Sequence, residues 1–70
     1  MERKRSEIIK ELTEIIPVFN TTGVHIATLY IGLEKDKNNE LLKQLIAENV
    51  DLFNMLKARK ESLEDELDRL

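Results

Sequence analysis

Ile15-Ile16-Pro17-Val18-Phe19-Asn20-Thr21-Thr22-Gly23-Val24-His25-Ile26-Ala27-Thr28-Leu29-Tyr30-Ile31-Gly32-Leu33 is a run of nineteen residues without Asp, Glu, Lys or Arg, in a chain where 36% of residues are charged. How this run folds decides what lies on either side of it. Pro17 has no backbone N–H, its ring clashes with the preceding turn, and it biases Ile16 away from helical dihedrals. Asn20-Thr21-Thr22-Gly23 is then a cluster of turn formers. The reading that follows is a helix ending at Pro17, a turn, and a buried segment over Val24–Leu33. The β-branched and aromatic content of that segment suits a strand, while Ile26, Leu29, Tyr30 and Leu33 fit one helical face with Thr22 as its cap. A short helix is preferred, because no other part of the chain offers a convincing partner strand. The run is also about as long as a bilayer span, but the polar turn in its middle argues against one.

Upstream, Ile8, Ile9, Leu12, Ile15 and Ile16 follow the spacing of one helical face, with Glu7, Lys10, Glu11 and Glu14 opposite, and predict a short helix over residues 2–16. Downstream, Asp36 or Asn38 is expected to cap a long helix over residues 38–69, which contains no Gly or Pro and is dominated by Leu, Lys, Glu, Ala and Arg. At 1.5 Å per residue the long helix would reach roughly 45 Å and the first roughly 22 Å. On these lengths the first helix cannot cover the last. The expected fold is all-α: a short N-terminal helix, a turn plus a short buried helix or strand over residues 17–34, and a long C-terminal helix, in a single domain.

The long helix carries a coiled-coil-like row of Leu42, Leu45, Leu52, Leu56 and Leu63, with Asn49 in the same heptad pattern and Leu67 and Leu70 after a slip of register. A second stripe of Leu41, Ile46, Val50 and Phe53 widens the apolar face over the first half. Arg59 and Glu66 interrupt the pattern and argue against a long regular zipper. The seam formed by Leu42, Leu45, Asn49, Leu52, Phe53, Leu56, Leu63 and Leu67 is the candidate surface for self-association or for a partner. Asn49 either fixes the register of a parallel pair of helices or, the preferred alternative, hydrogen-bonds at the margin of a bundle. Size points the same way. A 70-residue chain of 8.2 kDa with no Cys lacks disulfides, and a single His argues against metal staples. Oligomerisation is the remaining device, so a helical-bundle or coiled-coil-like homodimer is expected.

Charge is informative by position. Eleven basic against fourteen acidic residues give a net charge of −3, which is not that of a polycation built for nucleic acid. Glu61, Glu64, Asp65, Glu66 and Asp68 crowd a helix C-terminus and Arg3, Lys4 and Arg5 a helix N-terminus, both against the macrodipole. Two misplacements of opposite sign suggest mutual satisfaction, the basic N-terminus lying against an acidic C-terminus of the same chain or of a neighbour, although an ordinary solvated face is the preferred account of the acids. Lys60 with Glu64 and Asp65 with Arg69 have the spacing of ordinary pairs along a solvated helix face.

Catalytic and cofactor signatures are not found. Gly23 and Gly32 are the only glycines, so no phosphate-cradling loop can be written, and paired acids on an exposed helix tip lack the dry concave site that acid–base chemistry needs. No metal, no cofactor and no enzymatic activity are expected. The N-terminal basic residues are not followed by an apolar signal core, and a cytoplasmic, non-membrane protein is expected.

The stretch Phe19-Asn20-Thr21-Thr22-Gly23-Val24-His25-Ile26-Ala27-Thr28-Leu29-Tyr30 resembles the turn and recognition helix of helix-turn-helix DNA-binding proteins. That resemblance implies a tight turn at Gly23, inward-facing Val24 and Leu29, and His25, Ile26 and Thr28 at the major groove, while only Arg3, Lys4, Arg5, Lys35 and Lys37 could neutralise phosphates. Phe19, Thr22 and Pro17 depart from the family pattern, and the uncharged run offers nothing to neutralise phosphates. The favoured expectation is therefore a non-enzymatic regulator or adaptor acting through protein contact and self-association. A dimeric helix-turn-helix regulator and a subunit of a larger assembly are its alternatives.

Overall fold

The computed structural model of the chain describes residues 4–70. Two helices of nearly equal length, α1 (Arg5–Lys35) and α2 (Glu40–Asp68), pack against each other as a hairpin. Its direction is antiparallel: Gly32 lies beside Leu42 near the connection, and Ile8 and Leu12 pack on Leu63 at the open end.

The expected three-element layout is corrected here. α1 runs through Pro17 and through Asn20-Thr21-Thr22-Gly23 without a break, so there is neither a turn at residues 20–23 nor a separate second element, helix or strand, over 17–34. The physical reason is visible in one spacing. Ile8, Leu12, Ile15, Phe19, Thr22, Ile26, Leu29 and Leu33 alternate steps of four and three, and every one of them is buried or half-buried. Breaking the helix anywhere would throw half of that row off α2. Local propensity is overridden by this continuous interface, as propensity commonly is.

The residues that signalled a turn are accommodated individually. Thr22 Oγ1 donates to the Val18 carbonyl at 2.8 Å, so the buried hydroxyl is satisfied by its own helix; Thr13 and Thr28 donate in the same way to Ile9 and Val24. Pro17 is exposed on the outward side of the hairpin, where the backbone acceptor it leaves unused can meet water. Gly23 serves close approach rather than a turn. A Cβ there would stand 3.2 Å from the Phe53 ring, which itself stacks on Phe19 with ring centroids 4.4 Å apart.

The connection is built from polar caps. The Asp36 N–H donates to the Gly32 and Leu33 carbonyls and closes α1. Asn39, not Asp36 or Asn38, caps α2: its Oδ1 accepts from the Leu42 N–H at 3.1 Å, and its amide donates to the Asp36 carboxylate at 3.2 Å.

Equal lengths change the packing account as well. At 31 and 29 residues the helices span about 46 and 44 Å, so α1 covers α2 from end to end. The expectation that the distal seam is left over for a partner is thereby overturned: Leu63 is 0% exposed, in a cluster with Ile8 and Leu12 against which Ile15, Ile16 and Leu67 pack. Each fully buried aliphatic side chain contributes about 1.5–3 kcal/mol. Few reach that state. The buried residues among those described are Ile8, Leu12, Thr22, Ile46 and Leu63, and the molecule is a rod of 50 × 16 × 14 Å. Its radius of gyration is 15.8 Å, against about 11 Å for a compact chain of this length.

Candidate functional site

α2 carries two apolar rows. The inner row, Leu42, Ile46, Asn49, Phe53, Leu56, Lys60, Leu63 and Leu67, faces α1 and is buried or half-buried throughout. Lys60 stays in it with its ammonium over the Phe19 ring, Nζ 5.8 Å from the centroid and 3.0 Å from Glu64. The outer row is Leu41, Leu45, Glu48, Leu52 and Met55, again in steps of four and three, along one flank of the hairpin. Leu41 is 65% exposed, Met55 70% and Leu52 43%.

On the same flank α1 presents Val18, Thr21, His25 and Thr28, all exposed, and half-buried Gly32, a mostly small and uncharged strip beside the outer row. Toward the open end the flank turns charged. Arg59 bonds Glu11 at 2.8 Å across the two helices, over an open groove of about 340 Å³ lined by Glu14, Ile15, Val18, Leu56 and Leu63 besides that pair. The flank is thus apolar near the connection and ionic near the termini. Val24, Tyr30 and Ile31 extend the exposed apolar surface around the back of α1.

The candidate residues divide between these surfaces. Leu42, Asn49, Phe53, Leu56, Leu63 and Leu67 lie in the inner row and are used within the chain; Leu45 and Leu52 belong to the outer row. Asn49 Nδ2 donates to the Leu45 carbonyl at 2.8 Å, so its amide is held by its own helix in the monomer. Leu41, Met55 and Val18 were missed as members of an outer surface. The signal for them was the repeat 41, 45, 48, 52, 55, hidden because the inner and outer rows share one helix and were read as a single broad face.

Lys4 and Arg5 are exposed at the open end, beside the acidic end of α2 as the antiparallel pairing requires; Arg3 lies outside the described residues. His25 and Thr28 are exposed, but residues 19–30 form one uninterrupted helix. The two crossed helices of a helix-turn-helix need a turn between them, so that geometry is not what this stretch forms. The i, i+4 pairs Lys60 with Glu64 and Arg69 with Asp65 are present, at 3.0 and 3.3 Å. Among the described residues no group of three or more His, Asp or Glu is placed to hold a metal ion.

α1 is long and apolar enough, by length and composition, to cross a bilayer, with a mean hydropathy of 1.2 over eighteen residues. The polar turn that argued against a span is absent, so that ground falls away. Withdrawing α1 into lipid would uncover Ile46, Phe53, Leu56 and Leu63 on α2, which carries many more charged residues.

Comparison with protein-family models, curated proteins and solved structures finds no match for this chain.

Proposed function

We propose that this chain is a non-enzymatic helical-hairpin module, a small regulator or adaptor that acts by self-association and by contact with another protein. The observation that carries the reading is the second heptad-spaced row on α2, in which Leu41, Leu52 and Met55 stay exposed after α1 has covered the first. An apolar row of this spacing, rimmed by charged residues, has the form of a helix-to-helix contact, and monomeric proteins seldom leave such patches uncovered. The thin interior adds support, since one hairpin of this size falls short of the core that independent stability requires. The reading places the protein in the cytoplasm without cofactor, metal or membrane.

The test is molar mass by light scattering across a hundredfold dilution. The expected result is a mass of twice the 8.2 kDa chain that falls toward one chain only at the lowest concentrations. A particle of one chain at every concentration defeats the self-association part of the reading. A distribution extending well beyond small oligomers would favour instead a subunit of a larger assembly.

A further inference from the structure

The chain exposes more surface than a compact monomer does, and its outer flank has a definite polarity and relief; together these select what covers the flank. From the self-association reading, we infer that the occupant is a second copy of this chain, docked flank to flank with both connections at the same end, to give a four-helix bundle in which α2 of each copy packs on α1 of the other.

Area comes first. The chain exposes 5410 Å², whereas a compact monomer of its mass exposes about 4,500 Å². The surplus of about 900 Å² matches the roughly 800 Å² that each partner buries in a standard stable interface. A second rod laid along the first removes this surplus and brings the assembly toward compact proportions.

Relief and charge then choose the orientation. Gly32 beside Leu42 and Ile8 and Leu12 beside Leu63 set the levels of the two helices. With a two-fold axis along the rod, α2 meets the partner's α1 at equal level. Leu52 then faces Thr21, Met55 faces Val18, and Leu41 and Leu45 face Gly32 and Thr28, so large side chains lie over small ones as interdigitating layers require. Glu48 comes level with His25, which can donate to a carboxylate, and Arg59 level with Glu14. With the connections at opposite ends, α2 lies on α2: Leu faces Leu, and Glu48 stands against its own copy near the axis, a like-charge contact in a closing interface. The helices in contact are antiparallel in both arrangements, so the macrodipoles do not decide; the side chains do.

Two measurements test this. The chain has no Cys, so Asn38→Cys in the exposed connection takes a single spin label, and the label-to-label distance in the dimer reads the orientation. The same-end bundle predicts roughly 10–25 Å, one or two helix spacings plus the label arms. A distance near the 50 Å length of the rod overturns the orientation while leaving self-association intact. In parallel, Leu41→Ser/Leu52→Ser/Met55→Ser should keep its helical circular dichroism and weaken dimerisation by at least about a hundredfold. A fully helical variant with an unchanged dimerisation midpoint overturns the face. A wild-type chain that stays monomeric throughout defeats the underlying reading as well, and if it also co-sediments with anionic phospholipid vesicles, the occupant is a lipid surface rather than a second copy.

Discussion

The two halves of the hairpin differ in what they bury. At the open end the interior is aliphatic, with Ile8 1% and Leu63 0% exposed, and the surface is ionic, with the Arg59–Glu11 pair spanning the helices. From mid-rod toward the connection the interior adds Thr22, Asn49 and Gly23 to the stacked Phe19 and Phe53 and to buried Ile46, while Val24, Tyr30, Ile31 and Leu41 stand in solvent. The open half buries Ile8, Leu12 and Leu63 and leaves Ile9 and Leu70 exposed, whereas the connection half buries only Ile46 among its large apolar side chains. The lesson is that the composition of the interior can change along a hairpin with no change of secondary structure, and on the proposed reading the thinner half is where a partner docks.

Substitutions can break or sharpen this contrast. The largest effect is expected at the self-sufficient end: Leu63→Ala should cost about 2–5 kcal/mol, enough to melt so thin a core, read as loss of cooperative urea unfolding by circular dichroism. If Leu63→Ala is nearly silent, the open end is not where stability resides. Across the boundary, Pro17→Ala should stabilise the hairpin by about 1–3 kcal/mol, because an exposed mid-helix proline forfeits a backbone bond and gains only a stiffer unfolded chain in return; a raised urea midpoint checks it. A comparable effect of opposite sign, about 1–3 kcal/mol of destabilisation, is expected for Gly23→Leu, whose side chain must enter the space held by the Phe53 ring 3.2 Å from the Cβ position. A loss of the near-ultraviolet signal of the stacked phenyl rings should accompany it.

Gly32 supplies the control for Gly23. A Cβ at Gly32 meets Leu42 at an ordinary 3.6 Å, so Gly32→Ala should stabilise by about 0.5–1 kcal/mol through helix propensity alone. If both glycines respond alike to Ala, close approach at Gly23 is not what selects it. The smallest effect belongs to the ion pair: Arg59→Gln should change hairpin stability by less than about 0.5 kcal/mol, since both partners are more than a third exposed and the pair is solvent-screened. Thermal melts at low and high salt would bring out any larger contribution.

Much of this architecture was legible in the residues. The all-helical class, the long C-terminal helix within a residue or two of its ends and the Lys60–Glu64 and Asp65–Arg69 pairs follow from periodicity and charge, which act locally or along one helix face. The first helix was misjudged because Pro17 and Asn20-Thr21-Thr22-Gly23 are strong local signals, and local signals decide only where nothing larger opposes them. The row from Ile8 to Leu33 opposed them. It was read in two pieces on either side of the proline, and from that came the mistaken lengths, the supposed surplus of α2 and the assignment of Leu56 and Leu63 to a partner.

What the sequence determined by itself is the pair of amphipathic patterns and their charges, since a repeat of alternating fours and threes states which side chains share a face. What only the tertiary structure decided is which of the two rows on α2 faces inward, and therefore that Leu63 is core and Met55 is surface. Both rows are apolar and both have helical spacing, so periodicity cannot rank them. The ranking comes from the fit of Phe53 over Gly23 and against Phe19, a match between residues thirty or more positions apart that exists only once the two helices lie side by side.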